Sequence, residues 1–188
     1  MTRAEIRALQ RAVGTEADGI WGPKSIAACQ KHLKGLMPSP NPWPASGQAA
    51  LRKFYGEPGE SGQGLMFLDV SSYGVRYDGA PVGRIRCHAL CADSLLRVIS
   101  EIARGPHRNV LQHYAGCFNY RPVRGGGALS LHAWGAAIDL WPEKNGNKAH
   151  WPTAAAMPLG VMEAFAREGW MAAGAWWHRD AMHFQATR

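Results

Sequence analysis

The sequence lacks several features that would place it in a common class of protein. Its 188 residues contain no apolar run long enough to span a bilayer, so membrane insertion is not expected. The segment from Met1 to Arg7 has no apolar signal region, and we therefore expect synthesis in the cytoplasm without an export signal of its own. There is no internal repeat, and the one biased tract is a proline-rich segment. A hydrophobic share of 46% still allows a globular core.

Cysteine is scarce, with four residues at positions 29, 87, 91 and 117. Cys87 and Cys91 have the spacing of one helix face, and His88 between them raises the alternative of a structural zinc site. Such sites usually bring cysteine pairs on short loops, which this sequence does not have. We therefore expect reduced, partly buried thiols, as is usual for a cytoplasmic product.

Acidic residues are fewer than basic ones, 14 against 21, and the formal net charge is +7. A basic surface favours polyanions, which include nucleic acid and anionic components of a bacterial envelope such as teichoic acid or lipopolysaccharide. The sequence has no basic helix and no interleaving of aromatic with basic residues, the patterns typical of nucleic-acid modules. We therefore expect no nucleic-acid partner.

The segment from Ser130 to Asp139 carries the residues best suited to a chemical site. Residues 136–141 are apolar except at Asp139 and predict a short buried strand. A buried carboxylate needs a partner charge or a metal ion. His132 lies seven positions earlier, and imidazole and carboxylate are both ligands of zinc. A catalytic zinc has three protein ligands and one open position for water.

The third ligand is expected near the C-terminal end of the sequence. His183 lies between Met182 and Phe184, in the apolar setting of a strand, and Asp180 precedes it by three residues. A carboxylate beside a metal-bound water can act as a general base. Two alternatives stay open: His178 as the third ligand, and a plain hydrogen-bonded pair of His132 with Asp139 that holds no metal.

The pattern Ser-x-His-x-x-Gly-x-Ala-x-Asp at residues 130–139, followed by Asp-x-x-His at 180–183, resembles the signature of the zinc D-alanyl-D-alanine carboxypeptidases. It is most similar to the branch that includes phage endolysins acting as L-alanyl-D-glutamate endopeptidases. The recognisable region extends from about Gly64 to Gln185. By position, the resemblance implies one zinc ion held by His132, Asp139 and His183, with Asp180 as the general base. Many members have Glu at the base position.

The resemblance also implies an arginine that stabilises the oxyanion of the reaction. Arg121 follows the run Cys-Phe-Asn-Tyr where the family usually places this residue, and Arg124 is the second candidate. The alternative is that one of these arginines pairs with a carboxylate and only fixes its loop. Ser130, Arg124 and Trp177 are expected to contact substrate, although Ser130 has a second expected role in fixing the motif.

The first 37 residues predict a small all-helical module. One helix is expected from Ala4 to Val13 and another from Pro23 to about Leu36, after an Asp-Gly turn signal. The side chains expected to hold the two helices together are Leu9, Ile20, Trp21, Ile26 and Leu33. Leu9-Gln10 and residues 18–25 resemble the peptidoglycan-binding domain of cell-wall hydrolases, although family members are usually longer. The alternative is a helical cap that packs on the rest of the chain.

We predict three segments: the helical module at residues 1–37, a proline-rich linker at 38–47 and a catalytic domain at 48–188. The expected fold class is α+β, with helices on one side of a small, mostly antiparallel sheet, in the hedgehog/D-alanyl-D-alanine-peptidase-like arrangement that the resemblance implies. Helices are expected at Gln48–Tyr55, Cys91–Arg104 and Pro158–Arg167. Strands are expected at Leu65–Val70 and Gly83–Cys87, and a further strand is expected within Val110–Tyr120. Residues 143–151 are expected to form an exposed polar loop.

The function implied is hydrolysis of a peptide bond in the stem peptide of bacterial peptidoglycan, with L-alanyl-D-glutamate as the expected bond. A D-alanyl-D-alanine carboxypeptidase with the same site is one alternative, and a wall-binding protein without catalysis is another. The expected partner is peptidoglycan and the expected state is a monomer. The expected setting is the host cytoplasm, followed by release to the wall through a holin.

Overall fold

The computed structural model describes residues 1–59, 64–123 and 126–188. Helices and small antiparallel sheets are mixed along the chain, which confirms the predicted α+β class. None of the helices in these three ranges combines the length and the apolar character that a bilayer crossing requires.

Three helices precede the first strand, and their ends follow from local sequence. They are α1 (Arg3–Ala12), α2 (Pro23–Leu36) and α3 (Gln48–Tyr55). Thr2 caps α1 in a reciprocal arrangement with Glu5, since each side chain accepts from the other residue's backbone N–H. Pro23 occupies the first turn of α2, where a missing N–H costs nothing. All three predicted helices are therefore confirmed within a residue or two.

Two short antiparallel pairs follow, and then the longest helix. β1 (Leu65–Asp69) pairs with β4 (Arg84–His88), and between them β2 (Arg76–Tyr77) pairs with β3 (Ala80–Pro81) around the Asp78-Gly79 turn. α4 (Ala89–Arg104) packs its apolar face into the core.

The main sheet has four antiparallel strands in the order β5-β6-β8-β7. Their bounds are β5 (Tyr114–Gly116), β6 (Ala137–Leu140), β7 (Met171–Ala172) and β8 (His183–Gln185). The helices that accompany this sheet are α5 (Pro142–Asn145), α6 (Leu159–Arg167) and α7 (Ala173–Trp176). Short 3-10 helices occupy Ser71–Tyr73, Arg108–His113 and Leu131–Trp134.

One face of the main sheet forms the core against α6. Phe184 of β8 stacks on Phe165 of α6 with ring centroids 4.0 Å apart and an interplanar angle of 13°. Trp170 lies beside Phe165, and its indole N–H donates to Ser94 Oγ of α4 at 2.8 Å. These buried side chains fix one face of the sheet to α4 and α6. The opposite face is not used for this packing.

The N-terminal helices share this core. Cys29 and Leu33 of α2 belong to the same cluster of buried side chains as Phe165 and Phe184. His32 Nε2 lies 2.7 Å from Glu163 Oε1 of α6. In the proline-rich segment, the indole N–H of Trp43 donates to the Glu168 carbonyl at 2.7 Å. The division of the chain at residues 37 and 47 stays a prediction, but these segments are packed together.

Three local expectations need comment, and two of them were wrong. Val110–Tyr120 contains the expected strand, β5, but only at Tyr114–Gly116. The preceding residues 108–113 form a 3-10 helix, because Val110 and Leu111 are both buried against α4, and adjacent buried residues do not fit the alternation of a strand. Ile20 is 62% exposed, because its turn directs the carbonyl inward to Gln10 Nε2 and the side chain outward. Residues 143–151 are not one exposed loop, since Asn145 is fully buried.

Replacing Leu33 with alanine tests whether α2 belongs to the common core. The change removes a fully buried side chain, and we expect the free energy of unfolding to fall by about 2–5 kcal/mol in a single cooperative transition. Chemical denaturation followed by circular dichroism measures this, with exposed Lys34→Ala as the control. Two separate transitions, of which Leu33→Ala shifts only one, would show that the N-terminal helices unfold independently.

Candidate metal centre

Strand register brings two of the predicted ligands together. Asp139 of β6 and His183 of β8 are directly opposite in the antiparallel ladder. Side chains at opposite positions project from the same face of a sheet, and the next pair along the strands projects from the other face. Ile138 and Phe184 form that next pair and enter the core, so Asp139 and His183 necessarily lie on the other side.

The 3-10 helix before β6 supplies the third predicted ligand. Ser130 begins this helix, and its hydroxyl accepts from the backbone N–H of His132 at 3.4 Å. Gly135 ends it with φ of 66°, and a Cβ there would lie 2.8 Å from the backbone nitrogen of His88. Both the left-handed conformation and the close approach require glycine. The short helix thus holds His132 against the sheet.

Three atoms converge at the centre of the site. His183 Nδ1 lies 3.0 Å from Asp139 Oδ1 and 3.2 Å from His132 Nε2, and His132 Nε2 lies 3.3 Å from Asp139 Oδ1. His132, Asp139 and His183 form a group with metal-binding geometry, and within the described ranges His178 is not part of it. Ligand atoms bound to a tetrahedral zinc at about 2.0–2.1 Å stand about 3.3 Å from one another. The observed triangle fits one face of such a tetrahedron.

The outer nitrogens of the two imidazoles determine what faces the centre. His132 Nδ1 lies 2.7 Å from the carbonyl oxygen of Cys117, which can only accept, so this nitrogen carries the proton. His183 Nε2 lies 3.1 Å from Gln185 Oε1, and Gln185 Nε2 donates to Thr187 Oγ1 at 2.6 Å. With both protons directed outward, each imidazole presents a lone pair inward.

Two lone pairs and a carboxylate oxygen within 3.3 Å of one another repel unless positive charge lies among them. Burial would raise the pKa of Asp139, but the imidazoles of His132 and His183, which donate to its carboxylate when a proton takes the place of a metal ion, outweigh burial and hold that pKa well below its usual range. Burial lowers the pKa of His183, but Asp139 outweighs this and raises it. The lowered pKa of Asp139 and the raised pKa of His183 both indicate that the site favours positive charge at its centre. Two imidazole nitrogens and a carboxylate oxygen are a donor set that suits zinc.

Asp180 lies beside this triangle, near enough for the charges of His183, Asp139 and His132 to act on its carboxyl group. Its Oδ1 is a buried side-chain oxygen for which no residue of the described ranges supplies a hydrogen bond. Burial raises the pKa of Asp180, the charge of His183 opposes that rise, and Asp139 adds to it. The residue has φ of 57°, and its carbonyl accepts from the His183 N–H at 2.9 Å in a tight turn. A carboxyl with a raised pKa and a free oxygen is suited to accepting a proton.

The remaining predicted residues surround the centre. Arg121 is half-buried, and its charge reaches Asp180, where it partly opposes the effect of burial on the pKa. Trp177 is 43% exposed and stacks on the ring of His183 with centroids 5.6 Å apart. Ser130 is buried and caps the 3-10 helix, which agrees with its expected role in fixing the motif. Arg124 lies outside the described residues.

Sequence reasoning missed two residues that hold the site. Gln185 follows His183 by two positions, so strand alternation puts both on one face, and this signal was available. The role of Asn145 was not visible from the sequence, because this residue lies in the polar segment 143–151 that was expected to be an exposed loop. Its carbonyl accepts from the Met182 N–H at 3.1 Å, and its side chain joins the Trp141 carbonyl to the Ala156 N–H. Asn145 thereby fixes the end of the segment that carries Asp180.

The cysteines take no part in the centre. All four are buried free thiols, as expected. Burial raises the pKa of Cys29, Cys87 and Cys91 to about 12, and it also raises that of Cys117. Neutral thiols are poor metal ligands. In the described ranges no metal-binding group includes Cys87, His88 or Cys91.

Comparison with known families supports a peptidase. A family model described as D-alanyl-D-alanine carboxypeptidase matches residues 124–186. The match covers the three converging ligands and Asp180, but neither Arg121 nor the N-terminal helices. Comparisons with curated proteins and with solved structures gave no significant match.

Substitution of Gln185 by leucine tests the orientation of His183. The change removes the acceptor of the His183 Nε2 proton, and we expect zinc affinity to fall about 10- to 100-fold in a competition titration with a chelator. Gln185→Glu keeps an acceptor at this position and is the matched control. His132→Ala, which removes a ligand, sets the scale for full loss. Unchanged affinity in Gln185→Leu would show that Gln185 does not orient the ligand.

Proposed function

We propose that the chain is a zinc-dependent peptidoglycan hydrolase that cleaves a peptide bond of the stem peptide, with L-alanyl-D-glutamate as the bond. The observation that carries this proposal is the convergence of three inward-facing acceptor atoms next to Asp180, whose buried Oδ1 has no hydrogen-bond partner among the described residues. The family match over the same residues supports a peptidase. The choice of bond rests on the resemblance of the motifs to the endolysin branch.

His132, Asp139 and His183 would hold the ion. When bound, zinc lowers the pKa of water toward neutrality and polarises the scissile carbonyl. Asp180 acts as the general base, since its Oδ1 accepts the proton of the attacking water. The raised pKa of Asp180 favours this transfer, and the same carboxyl later gives the proton to the leaving amine.

Two further side chains complete the proposed site. The Arg121 guanidinium stabilises the negative charge that develops on the carbonyl oxygen, and its electrostatic effect on Asp180 supports its nearness to the reacting groups. Trp177 offers an exposed ring beside His183, and we assign it to holding the substrate next to the centre. Such positioning lowers the entropy cost of bringing water and peptide together.

A D-alanyl-D-alanine carboxypeptidase is the second candidate, and the description of the matching family favours it. The same ligands and the same base would act on the terminal bond of the stem.

Peptidoglycan is the proposed partner in either case, and the positive net charge suits the anionic polymers that accompany it. We keep the expectation of a monomer released to the wall through a holin as part of the endolysin proposal.

Replacing Asp180 with asparagine should abolish turnover while zinc remains bound. The amide keeps the size of the side chain but cannot accept the proton, and we expect kcat to fall about 10²- to 10⁴-fold. Asp180→Glu, which keeps a carboxylate, should retain part of the activity. Zinc content by metal analysis accompanies the kinetics. Wild-type turnover in Asp180→Asn would remove Asp180 from the mechanism.

Mass spectrometry of digested, purified peptidoglycan tests the proposal as a whole. Products with a new N-terminal D-glutamate are the expected result. Released D-alanine would instead establish the carboxypeptidase. Peptidoglycan left unchanged by zinc-loaded protein would overturn both enzymatic assignments and favour a wall-binding protein. The His132→Ala variant serves as the inactive control.

A further inference from the structure

We propose that the N-terminal helical segment is a positioning element of the active site, which holds the stretch Ala175–Asp180 through Gln30 and Trp21. This inference rests on the proposed function for its catalytic consequence. The structural claim, that the N-terminal helices hold Ala175–Asp180, is argued from contacts alone. It assigns to residues 1–37 a task that a tethered wall-binding module would not have.

The first contact lies at Ala175, the first residue of the stretch. Gln30 of α2 donates its side-chain N–H to the carbonyl of Ala175 at 3.0 Å. Ala175 is in α7, and a helix of four residues satisfies few of its own carbonyl groups. Gln30 therefore supplies from α2 a hydrogen bond that α7 does not make internally, and this bond ties the two helices together.

The second contact reaches the same stretch through an intermediate residue. Trp21 packs edge-on against Trp151, with ring centroids 5.3 Å apart and an interplanar angle of 83°. Trp151 is 2% exposed, and its backbone N–H donates to the His178 carbonyl at 3.1 Å. Trp21 thus covers the residue that holds the middle of the stretch.

The stretch needs such support because its backbone is strained. His178 and Asp180 both have left-handed conformations, with φ of 61° and 57°. Such conformations are unfavourable for residues other than glycine, and they persist only where surrounding contacts enforce them. The Asp180 carboxylate lies close enough to His183, Asp139 and His132 for their charges to affect its pKa. Relaxation of this stretch would move the base and leave the three zinc ligands in place.

A soluble substrate separates positioning from wall tethering. A binding module increases the local concentration of an enzyme on insoluble sacculi, but it does not affect a small soluble muropeptide. A positioning element affects both substrates equally, because it acts on the catalytic base. The effect should appear in kcat through Asp180 and in KM through Trp177, which lies in the same stretch, while zinc content remains at its wild-type value.

The experiment uses the full chain with Gln30→Leu, which removes the donor, and Trp21→Ala, which removes the packing. Trp21→Phe keeps an aromatic edge and should restore the wild-type behaviour. Lys31→Ala, on the exposed side of α2, is the control. We expect kcat on a soluble muropeptide to fall about 10- to 100-fold in the first two variants. Amide hydrogen exchange should accelerate in residues 175–180, while that of β6 and β8 stays unchanged.

Hydrogen exchange tests whether Gln30 and Trp21 hold residues 175–180, and this test does not require a measurement of enzymatic activity. Unchanged exchange in residues 175–180 in both Gln30→Leu and Trp21→Ala would overturn the inference. So would a loss of activity confined to insoluble sacculi, which would establish tethering. A wild-type protein that cleaves no muropeptide would refute the proposed function, yet faster exchange in the variants would still show that the N-terminal segment holds the stretch.

Discussion

The site depends on strand register and core packing that hold three mutually repelling acceptor atoms close together. The register of β6 with β8 places Asp139 opposite His183, and the preceding 3-10 helix adds His132 within 3.3 Å. Hydrogen bonds that the outer imidazole nitrogens donate to the Cys117 carbonyl and to Gln185 Oε1 keep the imidazole protons away from the centre. Packing of the sheet on α6 keeps this arrangement in place, because Phe184, next to His183, is stacked on Phe165. A cation among the three atoms relieves the repulsion. The strand pair β6–β8 contributes side chains to the core on one face and the candidate ligands Asp139 and His183 on the other.

Much of this site was predictable because its residues are close in sequence or carry a strong period. The apolar run interrupted by Asp139 predicted a buried carboxylate, and the strand-like setting of His183 predicted its partner. The choice between His178 and His183 was not predictable from spacing. It depended on register, since His183 lies in β8 and His178 lies in the irregular segment before it.

Contacts that join distant segments were beyond sequence reasoning. Val110–Tyr120 was expected to contain a strand, but the strand begins only at Tyr114, because the surface of α4 buries the adjacent side chains of Val110 and Leu111. Asn145 has the sequence context of a turn residue, and its role depends on a hydrogen bond that its carbonyl accepts from the distant Met182 N–H. The roles of Gln30 and Trp21 are likewise visible only when α2 is packed against α7 and Trp151. In each case the local pattern is ambiguous, and tertiary contacts decide between the options.

The position of β8 has a consequence for how the protein is made. This strand is later in sequence than its two neighbours, β6 and β7, and yet it lies between them in the sheet. A growing polypeptide on the ribosome therefore exposes two unpaired edges until residues 183–185 emerge. Before that moment β6 and β7 have no common neighbour, and His183 cannot join His132 and Asp139. The candidate metal centre therefore forms only when β8 inserts between β6 and β7.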